Sequence, residues 1–144
     1  MKKIRIGVMG VYRGTSMINY CKSADNAEVV AICDKSQEAL DAQRQYTEGL
    51  DITFYDHFDK FIEHDMDAVV LANYAHQHAP FAIRCMKAGK HVVTSNKALV
   101  CTFYDKLLPL AKEKGVQLRC TAAVGGGIGW LSELERARRV QKIN

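Results

Sequence analysis

Long hydrophobic runs are missing from this 144-residue chain. None approaches the roughly 18–20 apolar residues that a membrane-crossing helix needs, so no span is expected within these residues. Proline is scarce, with only Pro80 and Pro109, and no internal repeat or low-complexity linker interrupts the chain. Five cysteines, Cys21, Cys33, Cys85, Cys101 and Cys120, are widely spaced, odd in number and without a C-x-x-C pair. That spacing argues against a disulfide scaffold and for reduced, structural thiols in a cytoplasmic protein. His76 and His78 have no carboxylate or cysteine near them in sequence to complete a metal site, so no metal is expected and they read as helix-initiating or cofactor-contacting residues. Neither sign of charge dominates: 20 basic and 16 acidic residues leave a net charge of +4, which suits anionic small molecules without implying nucleic acid. The densest basic cluster, Arg136, Arg138, Arg139 and Lys142, alternates with Glu133 and Glu135 and reads as a solvated helix face. The opening Met1-Lys2-Lys3 is followed by Arg5 within an apolar stretch, which fits a strand better than a secretory leader.

What is present is a regular alternation. Hydrophobic residues make up 48% and charged residues 25%, enough for one domain with a real core. Residues 4–9 read as a strand, 14–22 as a helix with Thr15 or Ser16 near its start, and 29–33 as a second strand. Ser36 is the expected N-cap of a helix over 37–46, with Ala39, Leu40 and Ala42 facing inward. A strand at 52–54 and a small helix near 56–63 precede residues 68–72, whose apolar run predicts a central strand covered on both faces. A helix over 78–88 carries Pro80 in its first turn and ends at Gly89. Residues 91–93 form another strand, 102–114 a helix that Pro109 should kink or divide, and 116–120 a last strand. Leu131, Leu134, Ala137 and Val140 give residues 131–144 a helical apolar face that needs a partner. Six strands alternating with helices predict an α/β, Rossmann-like three-layer sandwich with a mostly parallel sheet and right-handed crossovers.

Gly7-Val8-Met9-Gly10-Val11-Tyr12-Arg13-Gly14 follows the first strand and opens the first helix. Glycines there permit a tight turn, and N–H groups at a helix start attract pyrophosphate. The spacing is G-x-x-G-x-x-x-G rather than G-x-G-x-x-G. Asp34 lies 20 residues beyond Gly14 at the end of the second strand, where a carboxylate binds ribose hydroxyls. The expected cofactor is NAD or NADP: Asp34 favours NAD, while Lys35 and Arg13 would offset its repulsion of a ribose phosphate. Ala72 and Asn73, after the fourth strand, fall where the nicotinamide half should lie.

Thr94-Ser95-Asn96-Lys97 follows the strand at 91–93, so Asn96 and Lys97 stand at a strand's carboxyl end, where ligands bind in open α/β sheets. Lys97 is the candidate catalytic residue, able to orient a carbonyl or steady the oxygen on which charge develops during hydride transfer. Residues 89–99, Gly89-Lys90-His91-Val92-Val93-Thr94-Ser95-Asn96-Lys97-Ala98-Leu99, together with Ala122-Ala123-Val124-Gly125-Gly126-Gly127-Ile128, resemble the homoserine dehydrogenase family. That resemblance implies a dehydrogenase interconverting homoserine and aspartate semialdehyde, a role in amino-acid biosynthesis, Lys97 at the nicotinamide–substrate junction, and Gly7, Gly10 and Asp34 at the cofactor. It further implies a cofactor domain over 1–128, with 129–144 beginning a linker or substrate and dimerisation domain that is cut short, so that the fragment binds cofactor only. Gly129 stands where the family usually has proline. A second resemblance, to the family of glucose–fructose oxidoreductase, rests on His78-Ala79-Pro80 and Gly89-Lys90-His91-Val92, and implies a sugar or polyol dehydrogenase with Lys97 again in the site. Ser95-Asn96-Lys97-Ala98 departs from that family's glutamate-lysine-proline motif. The expected partners are a small polar substrate, amino acid or polyol, with no nucleic acid and no membrane, and the complete protein is expected to be a homo-oligomer. A non-enzymatic dinucleotide-sensing module is the alternative of a different class.

Overall fold

The computed structural model describes residues 2–120. The triple-glycine segment, the helix expected at 131–144 and the domain boundary at 128 lie outside the described residues. Within them, six strands form one sheet: β1 (Ile4–Met9), β2 (Ala27–Cys33), β3 (Thr53–Tyr55), β4 (Ala68–Leu71), β5 (His91–Val93) and β6 (Leu118–Arg119). Their order is β3-β2-β1-β4-β5-β6 and every adjacent pair is parallel, so the sheet is wholly parallel among the described residues. Parallel neighbours need crossovers, and five helices supply them: α1 (Val11–Ser23), α2 (Gln37–Tyr46), α3 (Phe58–Ile62), α4 (His78–Lys87) and α5 (Lys97–Glu113).

Strand alternation divides the core in two. Ile6 and Val8 point into one layer with Ile18, Ile32 and Leu40, beneath α1 and α2. Met9, Val69, Leu71 and Val92 point into the other with Phe61, Met86 and Leu107, beneath α3, α4 and α5. The two buried faces explain why β1, β2 and β4 read as nearly continuous apolar runs. Cys33 and Cys85 belong to this interior, and burial pushes both thiols up to about 12, with Asp34 and Asp56 adding to the effect at Cys33. Cys21 is buried as well, whereas Cys101 is exposed on α5. No helix of the described residues is long and apolar enough to cross a membrane.

Several expected boundaries move. α1 begins at Val11, not 14, because the strand passes directly into the helix through Gly10. On α2, Ser36 caps as expected, its hydroxyl accepting from the Ala39 amide at 3.2 Å, but Ala42 is exposed and Gln43 takes the inward position beside Ala39 and Leu40. The largest correction is α5, which starts at Lys97 rather than 102 and runs through Pro109 to Glu113. Asn96 is its N-cap, with Oδ1 accepting from the Leu99 amide at 3.2 Å. Only two residues of the stretch 116–120 pair as β6.

Candidate functional site

Between β1 and β4 the order of the sheet reverses, since β1 leads outward to β2 and β3 while β4 leads the other way to β5 and β6. The loops leaving these two strands therefore diverge to opposite faces and open a crevice at the carboxyl edge of the sheet. A cleft of about 370 Å³ lies there. Gly10, Tyr12 and Arg13 after β1 line it, with Asp34, Lys35 and Ser36 after β2 and Ala72 and Asn73 after β4.

Gly10 makes this crevice possible. Its φ is +96°, and a Cβ on it would stand 2.6 Å from the Ala72 carbonyl carbon and from the Asn73 amide nitrogen. Any side chain would thus force apart the two loops that frame the cleft. The neighbouring glycines do a different job. A Cβ on Gly7 would collide with the Met66 sulfur and the Phe61 ring, and one on Gly14 with Val8, so both are needed where elements pack and neither lines the cleft.

Asp34 closes the other side. One carboxylate oxygen accepts from the Val11 amide at 2.8 Å and the other from the Ser36 amide at 2.9 Å. The carboxylate so caps the first turn of α1, where the backbone N–H groups have no intrahelical acceptor, and satisfies the Val11 donor. Held by two amides, it still has lone pairs to offer to hydroxyl donors in the cleft. Val11 itself is buried, so its contribution is this amide rather than its side chain. Tyr12 is 79% exposed at the rim. Arg13 reaches across to the Asn73 carbonyl at 3.4 Å.

Asn73 is held to the cleft wall through its backbone. Its side-chain Oδ1 is buried without a hydrogen-bond partner, while its carbonyl accepts from Arg13 and lies 3.0 Å from His78 Nε2. A buried acceptor left unmatched is costly, and a ligand N–H or O–H in the cleft would satisfy it. His78 is buried and also reaches Thr94 Oγ1 at 3.1 Å through Nδ1. Burial lowers its pKa below 6.5, with the Arg13 charge acting in the same direction and the Asn73 carbonyl opposing.

Asn96 and Lys97 stand at the carboxyl end of β5, on the same edge of the sheet but not among the residues lining the cleft. Asn96 is buried as the α5 cap and donates from Nδ2 to the Ala75 carbonyl at 2.6 Å, so its side chain ties α5 to the loop after β4. Lys97 is exposed at the first position of α5. Seven of the residues singled out from sequence, Gly10, Tyr12, Arg13, Asp34, Lys35, Ala72 and Asn73, thus come together around one cleft. Asp56, His57 and Phe58, which follow β3, and Gln77 and Phe81 also line it and carried no sequence signal. The described residues contain no grouping of three or more His, Cys, Asp or Glu able to hold a metal.

The Gly10 cradle, the anchored Asp34 carboxylate and the unmatched Asn73 acceptor fit a nicotinamide dinucleotide. Comparison with known proteins agrees. Residues 4–121 match the model of the oxidoreductase family, NAD-binding Rossmann fold. Homoserine dehydrogenase of Pseudomonas aeruginosa is 34% identical over 91 residues, covering 62% of this chain and 21% of that protein. Homoserine dehydrogenase of Bacillus subtilis is 26% identical over 151 residues, covering 99% of this chain and 35% of the relative. Among solved structures, the WlbA dehydrogenase of Bordetella pertussis, in complex with NADH and UDP-GlcNAcA, superposes with a TM-score of 0.67 and 28% identity over 81% of this chain and 35% of that one. The chain therefore spans about a third or less of the length of these relatives.

Proposed function

This chain belongs to the oxidoreductase family with an NAD-binding Rossmann fold, and on that premise we propose that it is the cofactor-binding part of a sugar or polyol dehydrogenase. The observation that carries the reading is the cleft at the β1–β4 reversal, with Gly10 and the anchored Asp34 on its two sides. In this assignment the amides of Tyr12 and Arg13 at the start of α1 receive the pyrophosphate, and the Arg13 guanidinium adds charge beside it. Asp34 accepts from the adenosine ribose hydroxyls, which favours NAD, while Lys35 and Arg13 on the same rim are the cations that would tolerate a ribose phosphate. Asn73 and Ala72 border the nicotinamide half. When bound, the dinucleotide supplies the hydride acceptor or donor. Lys97 and the positive end of α5 stabilise the substrate oxygen as charge develops on it.

The nucleotide sugar held by the Bordetella pertussis relative supports a polyhydroxylated substrate. Homoserine is the second reading, favoured by the two homoserine dehydrogenases above and by the Asn96-Lys97 segment. Turnover of the full-length protein with NAD and NADP, against polyols, nucleotide sugars and homoserine, separates them. The expected result is oxidation of a sugar or polyol; turnover of homoserine alone would reverse the order. Asp34→Ala is expected to weaken NAD binding about tenfold or more and NADP binding less, read by titration of each cofactor; equal weakening of both would remove Asp34 from the ribose site.

A further inference from the structure

One chain of hydrogen bonds joins the loop after β4 to the start of α5, and its donors and acceptors can be assigned in order. The Asn73 carbonyl can only accept, so His78 Nε2, 3.0 Å away, carries the proton. The Asn96 backbone N–H can only donate, and Thr94 Oγ1 accepts from it at 3.2 Å. The Thr94 hydroxyl is then free to donate to His78 Nδ1 at 3.1 Å, which in the Nε2–H tautomer is an acceptor. With a neutral imidazole every link is matched, the Thr94 hydroxyl proton included, whereas a protonated ring would take the Nδ1 acceptor away from that proton.

We propose that His78 is a positioning residue: as the neutral Nε2–H tautomer it locks the Asn73 turn of the cleft to the Thr94–Asn96 segment that opens α5, and so sets where Lys97 stands relative to the dinucleotide. The inference rests on the cleft holding the dinucleotide and on Lys97 meeting the substrate. His78, Thr94 and Asn96 are all buried, so water does not compete for these bonds, and satisfied buried networks hold their members in one arrangement. The Asn96 side chain reinforces the link by donating to the Ala75 carbonyl at 2.6 Å. His78 is not among the residues lining the cleft, so its effect falls on geometry: displacing a reacting group slightly slows the chemical step far more than it weakens binding.

Two measurements test this. A long-range proton–nitrogen spectrum of the 144-residue chain reads the ring directly. His78 is expected as the neutral Nε2–H form at neutral pH; an Nδ1–H or doubly protonated ring would overturn the proposal. In the full-length protein, Thr94→Val removes the hydroxyl at nearly constant shape, and Thr94→Ser keeps it. Thr94→Val is expected to lower kcat about tenfold with the dinucleotide Kd changed less than about twofold, and Thr94→Ser to restore kcat. An unchanged kcat in Thr94→Val, or equal losses in both variants, would overturn the positioning role. If Thr94→Val does not fold, the spectrum decides alone. Failure of the unmodified protein to bind NAD or NADP would instead sink the reading of the cleft, a failure distinguished by arising without any substitution.

Discussion

Gly10 carries two demands that no residue with a side chain meets together, a φ of +96° and a backbone neighbour 2.6 Å from where a Cβ would be. Gly10→Ala is expected to cost at least about 2 kcal/mol of stability, from backbone strain and forced separation of the loops. It should also abolish detectable dinucleotide binding. Urea unfolding and a fluorescence titration with NADH check the two effects separately, and a variant of native stability would remove the close approach from the explanation. The pairing of this glycine with Asp34 was legible in sequence because both lie beside strand ends at a spacing set by one β-α-β unit. The roles of Gly7 and Gly14 were not legible. Met66 and Phe61, which crowd Gly7, come from some 50–60 residues away, and Val8, which crowds Gly14, meets it only once the strand has turned into the helix. Asp56 and His57 carry no sequence signal for a related reason: they join the cleft only through the pairing of a three-residue strand, β3, with β2.

At the level of elements, types were legible and so were several bounds: β1, α2 and β5 lie at 4–9, 37–46 and 91–93 as expected, while α1 and α5 begin earlier than their patterns suggest. Strongly apolar strands between polar helices declare themselves by period, which is why the six strands and their helical crossovers were readable. α5 begins at Lys97, ahead of the expected 102, because the Asn96 cap and the burial of Leu99 outweigh the lower helix propensity of Val100 and Cys101. Pro109 predicts a kink or a divide, yet α5 continues through it, with Leu107 and Ala111 buried on either side. The proline lacks the N–H that would bond the Asp105 carbonyl, and its ring crowds that carbonyl. Pro109→Ala is therefore expected to stabilise the chain by about 1–3 kcal/mol, seen as a higher Tm. A lower Tm would mean that the ring packs in a way that offsets the lost bond.

For the molecule as a whole, acid should be the weak side. His78 and His64 both have pKa values lowered below 6.5, in each case first by burial; at His64 the Arg5 charge adds to the effect, and at His78 the Arg13 charge does. The unfolded chain then binds protons that the folded chain resists, so this stability is fully present above about pH 6.5 and is lost as pH falls through the lowered values. The urea midpoint is expected to fall between about pH 7.5 and about pH 5, and the fall should shrink in His78→Gln. A midpoint that rose on acidification would contradict the assignment of a buried neutral ring. The interior thiols offer a separate view of the same fold. Cys21, Cys33 and Cys85 are buried, Cys120 is half-buried with its thiol pKa raised by burial, and Cys101 is exposed, so an alkylating reagent should add a mass increment first at Cys101 and next at Cys120. The increments at the three buried positions must wait for the core to open, which makes their rate in a mass spectrum a clock for the lifetime of the native state. A dinucleotide that binds only the folded chain should slow that clock, giving a readout of occupancy that needs no substrate and no turnover.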